Sequence, residues 1–226
     1  MKYIVLSALM LGLVAAHAPV LAKETPRERR EREAEAKRKQ LPEMQKKCAE
    51  AYNQGKDHDA IVGCTAIIDG KFLEGKDLAQ IYAVRGAAYL RKKDFAKALA
   101  DFEAASANDP TEFQNYLGAY IAATQLGDKG KATAALNKGL EIKPDSVDLL
   151  RVRCIEKFNA KDFAGAIPDC EKVVAAKADD ADVWLAIAQA AEQLKDKAKA
   201  KAAYEKVLAL NPANTTAKDG LARVSK

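Results

Sequence analysis

The chain has little of what enzymatic chemistry needs. Its 226 residues include two histidines, His17 and His58, and only His58 lies beyond the N-terminal segment. Histidine-dependent nucleophilic triads and multi-histidine metal sites are therefore excluded. No Cys-x-x-Cys occurs, which argues against thioredoxin-like redox work, and no Cys-x-x-Cys-His, so no haem is attached. A phosphate-binding glycine loop is also lacking. Lys56-Asp57-His58-Asp59 is polar but reads as a solvated turn. No alternating run is long enough for a convincing strand, so the expected fold is all helical. Neither catalysis nor a cofactor is implied.

What the chain does have is small aliphatic residues and balanced charge. It is 49% hydrophobic but only 6% aromatic, as expected where helices pack closely. Charged residues make up 31%, and the net charge of +5 says little about partners.

The N-terminus carries the one long apolar run. Lys2 precedes Tyr3 to Ala16, and Val20-Leu21-Ala22 supplies small residues at a cleavage site. This is the pattern of a secretory signal peptide over residues 1–22, cut after Ala22. A membrane anchor is the alternative. The run is short of the roughly 20 residues a span needs, and Pro19 follows it. No later stretch could cross a bilayer, so no integral membrane segment is expected after cleavage. A periplasmic or secreted location follows.

Residues 23–41 form a charged helix or linker. Thr25-Pro26-Arg27-Glu28 reads as a capping box with proline at the first helical position. Glu28 and Arg32, Glu33 and Lys37, and Glu35 and Lys39 have the spacing of helical ion pairs. Leu41-Pro42 is expected to end this helix. The charges alternate in sign instead of clustering, so no nucleic-acid role is expected.

Beyond this the sequence repeats itself. The span Tyr82…Pro110 recurs as Tyr116…Pro144 and as Trp184…Pro212, and Ala98, Ala132, Ala166 and Ala200 sit 34 residues apart. Such a period marks stacked helix-turn-helix units. Tyr82, Gly86, Tyr89, Ala98, Phe102 and Pro110 resemble the tetratricopeptide repeat, as do Trp184, Ala188, Ala191, Ala200, Tyr204 and Pro212. A weaker copy has Tyr120 where the family has a small residue. Another has Leu150, Cys154, Ala166 and Cys170, with Ala178 in place of the proline. Cys48, Ala60 and Cys64 mark a further unit, displaced by a longer spacing that predicts an extended second helix or loop through Asp69–Lys76. The resemblance implies an all-α solenoid of about five helical hairpins over residues 42–212. A capping helix over 213–226 would present Ala217, Leu221 and Val224 on one face.

The four cysteines form two pairs of equal spacing, Cys48 with Cys64 and Cys154 with Cys170. In such hairpins each pair is equidistant from the turn and stands at one height on facing helices, within disulfide reach. An exported protein lies in a compartment where disulfides persist. Four buried thiols are the alternative. One shared zinc is excluded, because the pairs lie three repeats apart.

The resemblance also implies a concave surface lined by the first helix of each repeat. On it the expected peptide-binding residues are Leu90, Arg91, Leu117, Ile121, Arg151, Ile155, Phe158 and Leu185. The apolar ones would hold a peptide and the arginines would orient an acidic end. Gln45 and Ala49 occupy the first positions where some relatives clamp acidic chaperone tails, so that specificity is not expected. The apolar side chains could instead cover one another, or the Lys23–Gln40 helix could fold over them. Two functions remain open. One is an adaptor that holds a protein or peptide partner. The other is a scaffold that associates with itself, for example as a homodimer.

Overall fold

A computed structural model of the chain describes residues 24–226. The expected signal peptide lies outside the described residues. The chain divides into two compact units, Met1–Lys39 and Gln40–Lys226.

In the described part of the first unit the capping box forms. The Glu28 amide donates to Thr25 Oγ1 at 3.2 Å, and the Thr25 amide donates to Glu28 Oε2 at 2.7 Å. The Thr25 amide, and the Thr25 hydroxyl beside it, hold the Glu28 carboxyl below its ordinary value. Of the three expected ion pairs, only Glu35–Lys39 is present; Arg32 turns to Glu24 instead, and Arg27 pairs with Glu31. Helix α1 (Pro26–Asn53) does not end at Leu41-Pro42 but continues through Pro42. The proline leaves one helical carbonyl without a donor. The turn before it, residues 37–40, is exposed, so water can serve that carbonyl.

The remaining helices are α2 (Asp57–Gly70), α3 (Gly75–Arg91), α4 (Phe95–Asn108), α5 (Phe113–Gln125) and α6 (Lys129–Ile142). They are followed by α7 (Val147–Asn159), α8 (Phe163–Ala176), α9 (Ala181–Gln193), α10 (Lys197–Leu210) and α11 (Thr215–Val224). Within Gln40–Lys226 they stack as five consecutive hairpins closed by α11. The extra residues of the first spacing do not lengthen α2. They add a first turn to α3, which has 17 residues where α5 has 13.

Four of the five hairpin turns use the same device; the first has Lys56 at the cap position and no side-chain bond there. Asp94, Asp128, Asp162 and Asp196 cap α4, α6, α8 and α10 by accepting a hydrogen bond from the backbone amide three residues on. The residue before each cap is left-handed: Lys93, Gly127, Lys161 and Lys195. A lysine in that conformation costs roughly 1–2 kcal/mol, which the cap offsets by about 1 kcal/mol.

Close approach between helices depends on small residues. A Cβ on Gly86 would come within 3.4 Å of the Ala98 carbonyl, as the expected Gly86–Ala98 contact requires. The ring of Phe102 lies directly over Gly118 on the next hairpin, and the ring of Tyr204 lies over Gly220 of α11. The last helix thus packs as the first helix of a repeat does. It buries Ala217, Gly220 and Val224, while Leu221 is half-buried.

The cysteine pairs stand as expected. Cys48 and Cys64 join α1 to α2 at disulfide distance, with Cα atoms 5.3 Å apart; Cys154 and Cys170 join α7 to α8, with Cα atoms 5.2 Å apart. All four side chains are buried.

Two outcomes are expected. Gly118→Ala forces the Phe102 ring to move and lowers stability by about 1–3 kcal/mol in urea melts. Non-reducing peptide mapping finds Cys48–Cys64 and Cys154–Cys170. Replacing Cys154 and Cys170 by alanine costs about 2–4 kcal/mol.

Candidate functional site: the face of the first helices

The first helices of successive hairpins form one layer, with α3 touching α5 and α7 touching α9. This layer carries all eight expected groove residues. Ile121 is the one large apolar side chain among them that is exposed, at 40%. Leu90, Leu117, Ile155, Phe158 and Leu185 are half-buried and packed against the core. Phe158 meets Phe163 of α8 edge to face, with ring centroids 5.6 Å apart. The apolar stripe is therefore narrower than the sequence suggested, because five of its members pack partly into the core.

The two arginines are not free. Arg91 donates to Asp57 and to the Tyr52 carbonyl, and its guanidinium lies 3.7 Å from the centre of the Tyr52 ring. Arg151 donates to Asp180 Oδ2 at 2.7 Å. Both charges expected to orient an acidic peptide end are therefore partnered within the chain.

Two ion pairs built on buried carboxylates brace the hairpins, and the sequence reading missed them. Arg85 bonds both oxygens of Asp101 at 2.7 and 2.8 Å, and Arg153 does the same to Asp169. The pairs lie 68 residues apart, two repeats, and each spans the same 16 residues as the cysteine pairs. That shared spacing was the available signal. Lys157 adds a third bond to Asp169 at 2.9 Å. Burial pushes the Asp169 carboxyl up, but Arg153 and Lys157 outweigh it and hold the group below its ordinary value.

A cleft of about 550 Å³ opens on the same layer between α5, α6 and α7. Tyr120, Thr124, Lys129, Thr133, Glu156 and Asn159 supply its polar lining. Tyr120, which stands where a small residue was expected, packs against both core clusters that meet here. Its hydroxyl lies beside Glu156 and Thr124, and burial and the Glu156 carboxylate raise the phenol above its ordinary value. On the side of the second helices, clefts of about 250 and 380 Å³ repeat 68 residues apart. Their rims are closed by the pairs Lys131–Glu103 and Lys199–Glu171.

Comparison with known proteins assigns this architecture. The profile of the tetratricopeptide repeat matches residues 79–112, 119–146 and 181–214. Three of the five hairpins, α3/α4, α5/α6 and α9/α10, thus carry the match to this repeat. The two hairpins that carry the cysteines, α1/α2 and α7/α8, lie outside the matched residues. No curated protein matches the sequence. Among solved structures, a tetratricopeptide repeat protein from Parabacteroides merdae is 15% identical with a TM-score of 0.67, covering 82% of this chain and 72% of its own. MamA from Desulfovibrio magneticus is 22% identical with a TM-score of 0.58, covering 65% and 83%. YrrB, described as a protein of this repeat with an unusual peptide-binding site, is 14% identical with a TM-score of 0.63, covering 76% and 87%. These likenesses concern the fold. Among the described residues, no helix is long and apolar enough to cross a membrane.

The ion pair at Asp169 yields a pH-dependent outcome. Because its folded carboxyl titrates below the unfolded one, the pair stabilises fully above about pH 4 and less as the pH falls through the folded value. Asp169→Asn is expected to cost about 2–3 kcal/mol at pH 7, since it leaves two partly buried cations unpaired. Urea melts at pH 7 and pH 3 should show that difference shrinking in acid.

Proposed function

We propose that the protein is an exported, non-catalytic adaptor of the tetratricopeptide repeat family that holds a peptide or protein segment along the face of its first helices. The observation that carries this reading is Ile121, exposed among half-buried Leu117, Ile155 and Phe158 on two neighbouring first helices. A segment laid there removes this surface from water and needs no rearrangement of the core. Three of the half-buried side chains add apolar floor, and each buried CH₂ group of a guest contributes about 0.8 kcal/mol. Export is supported by the apolar run before Ala22 and by two buried cysteine pairs at disulfide distance, bonds that persist outside the cytosol.

Panning a dodecapeptide library on the purified protein should return binders that weaken about three- to tenfold on Ile121→Ala, in line with the apolar surface removed. The melting temperature should stay unchanged. Phe158→Ala should weaken binding and also lower the melting temperature, because its ring packs on Phe163. Binders indifferent to both variants would place recognition elsewhere. A protein that returns no binder but runs as a dimer in light scattering would favour the self-associating scaffold.

A further inference from the structure

Among the described residues, the Glu156 carboxylate in the cleft beside Tyr120 makes no ion pair. Every basic residue of α7 is committed elsewhere: Arg151 to Asp180 and Asp182, and Arg153 and Lys157 to Asp169. The other acid of α7, Asp148, is bonded by Lys177. Glu156 alone is left, half-buried, with the Tyr120 phenol beside it. From the facing elements, α5 contributes the uncharged Tyr120 and Thr124. Helix α6 contributes Lys129, an exposed rim residue that makes no ion pair with Glu156 among the described residues. A half-buried carboxylate gains most from a partner that brings both charge and hydrogen-bond donors.

The protein shows elsewhere what such a partner looks like. In the last repeat the Tyr204 hydroxyl donates to Glu192 at 2.5 Å, and Arg223 of α11 completes the group with two bonds to the same carboxylate at 2.7 and 3.0 Å. Arg223 and Tyr204 hold Glu192 below its ordinary value. There the cation comes from the chain itself. At Glu156 the same tyrosine–glutamate combination faces an open cleft of about 550 Å³, large enough for one long side chain.

We propose that the Tyr120–Glu156 cleft receives an arginine or lysine side chain of the peptide bound along the first helices. This rests on the peptide-binding reading above and names the chemistry of its ligand. The aliphatic stem would lie against the Tyr120 ring and its charged end would reach Glu156, with the Thr124 hydroxyl and the Asn159 carboxamide as further polar partners. One basic residue at a fixed distance from an apolar residue seated at Ile121 is then the recognition pattern.

The test uses the dodecapeptides selected from the library and their synthetic copies. Selected peptides should share one basic position. Glu156→Gln should weaken them about tenfold in 0.1 M salt. Replacing the peptide's basic residue by norleucine should cost as much on the unmodified protein and little on Glu156→Gln. Glu156→Lys, selected afresh, should return peptides with an acidic residue at that position. Circular dichroism and melting temperatures of both variants should match the unmodified protein, since the cleft is open. Binders that depend on Ile121 but share no basic position, or bind Glu156→Gln unchanged, overturn this proposal and leave the groove standing. A library that yields no binder overturns both.

Discussion

Everything in this fold depends on how closely one helix can approach the next. Gly86 against Ala98 sets that distance within a hairpin, and Gly118 beneath Phe102 sets it between hairpins. Where the second helix carries a large ring, the next first helix offers glycine: Phe102 meets Gly118, and Tyr204 meets Gly220. At the equivalent places where the second helix carries cysteine or leucine, the next first helix offers Val84, Val152 or Ala186. The bulk of the contact is divided differently between the two sides from one junction to the next, and close packing accepts a ring only where the facing residue is small.

The cysteines fit the same rule. Cys64 and Cys170 occupy the places that Phe102 and Tyr204 fill in other repeats, and each reaches back to a cysteine on its own first helix. A ring stabilises by burying area; a cross-link does so mainly by restricting the unfolded chain. Exchanging one for the other frees these hairpins from the aromatic pattern. That is a physical reason why the repeat profile passes over both of them.

Tyr120 is where the rule is broken, and the break has consequences. A large residue in place of a small one packs between two core clusters and brings a hydroxyl to the inner layer. The cleft opens beside it. The wide apolar groove implied by resemblance shrinks to one exposed isoleucine with half-buried neighbours, while the polar corner at Glu156 was not anticipated. The flanking arginines, which by position alone looked available, are held by Asp57 and Asp180.

The sequence by itself determined the hairpins, their number, the pairing of the cysteines and the capping role of α11. All of these follow from periodicity and from local spacing, which a linear chain displays directly. The expected groove positions rest instead on the resemblance to the tetratricopeptide repeat, whose first helices line the concave side. Only the tertiary structure decided which of those side chains are free. Whether Arg151 is open or bound depends on Asp180, 29 residues away on the next hairpin, and whether Glu156 has a cation depends on how Arg153 and Lys157 turn toward Asp169. Helix propensity also failed at Pro42, where exposure to water let α1 continue. Periodicity fixes where a residue sits, but its partners are set by distances between helices that no local pattern encodes.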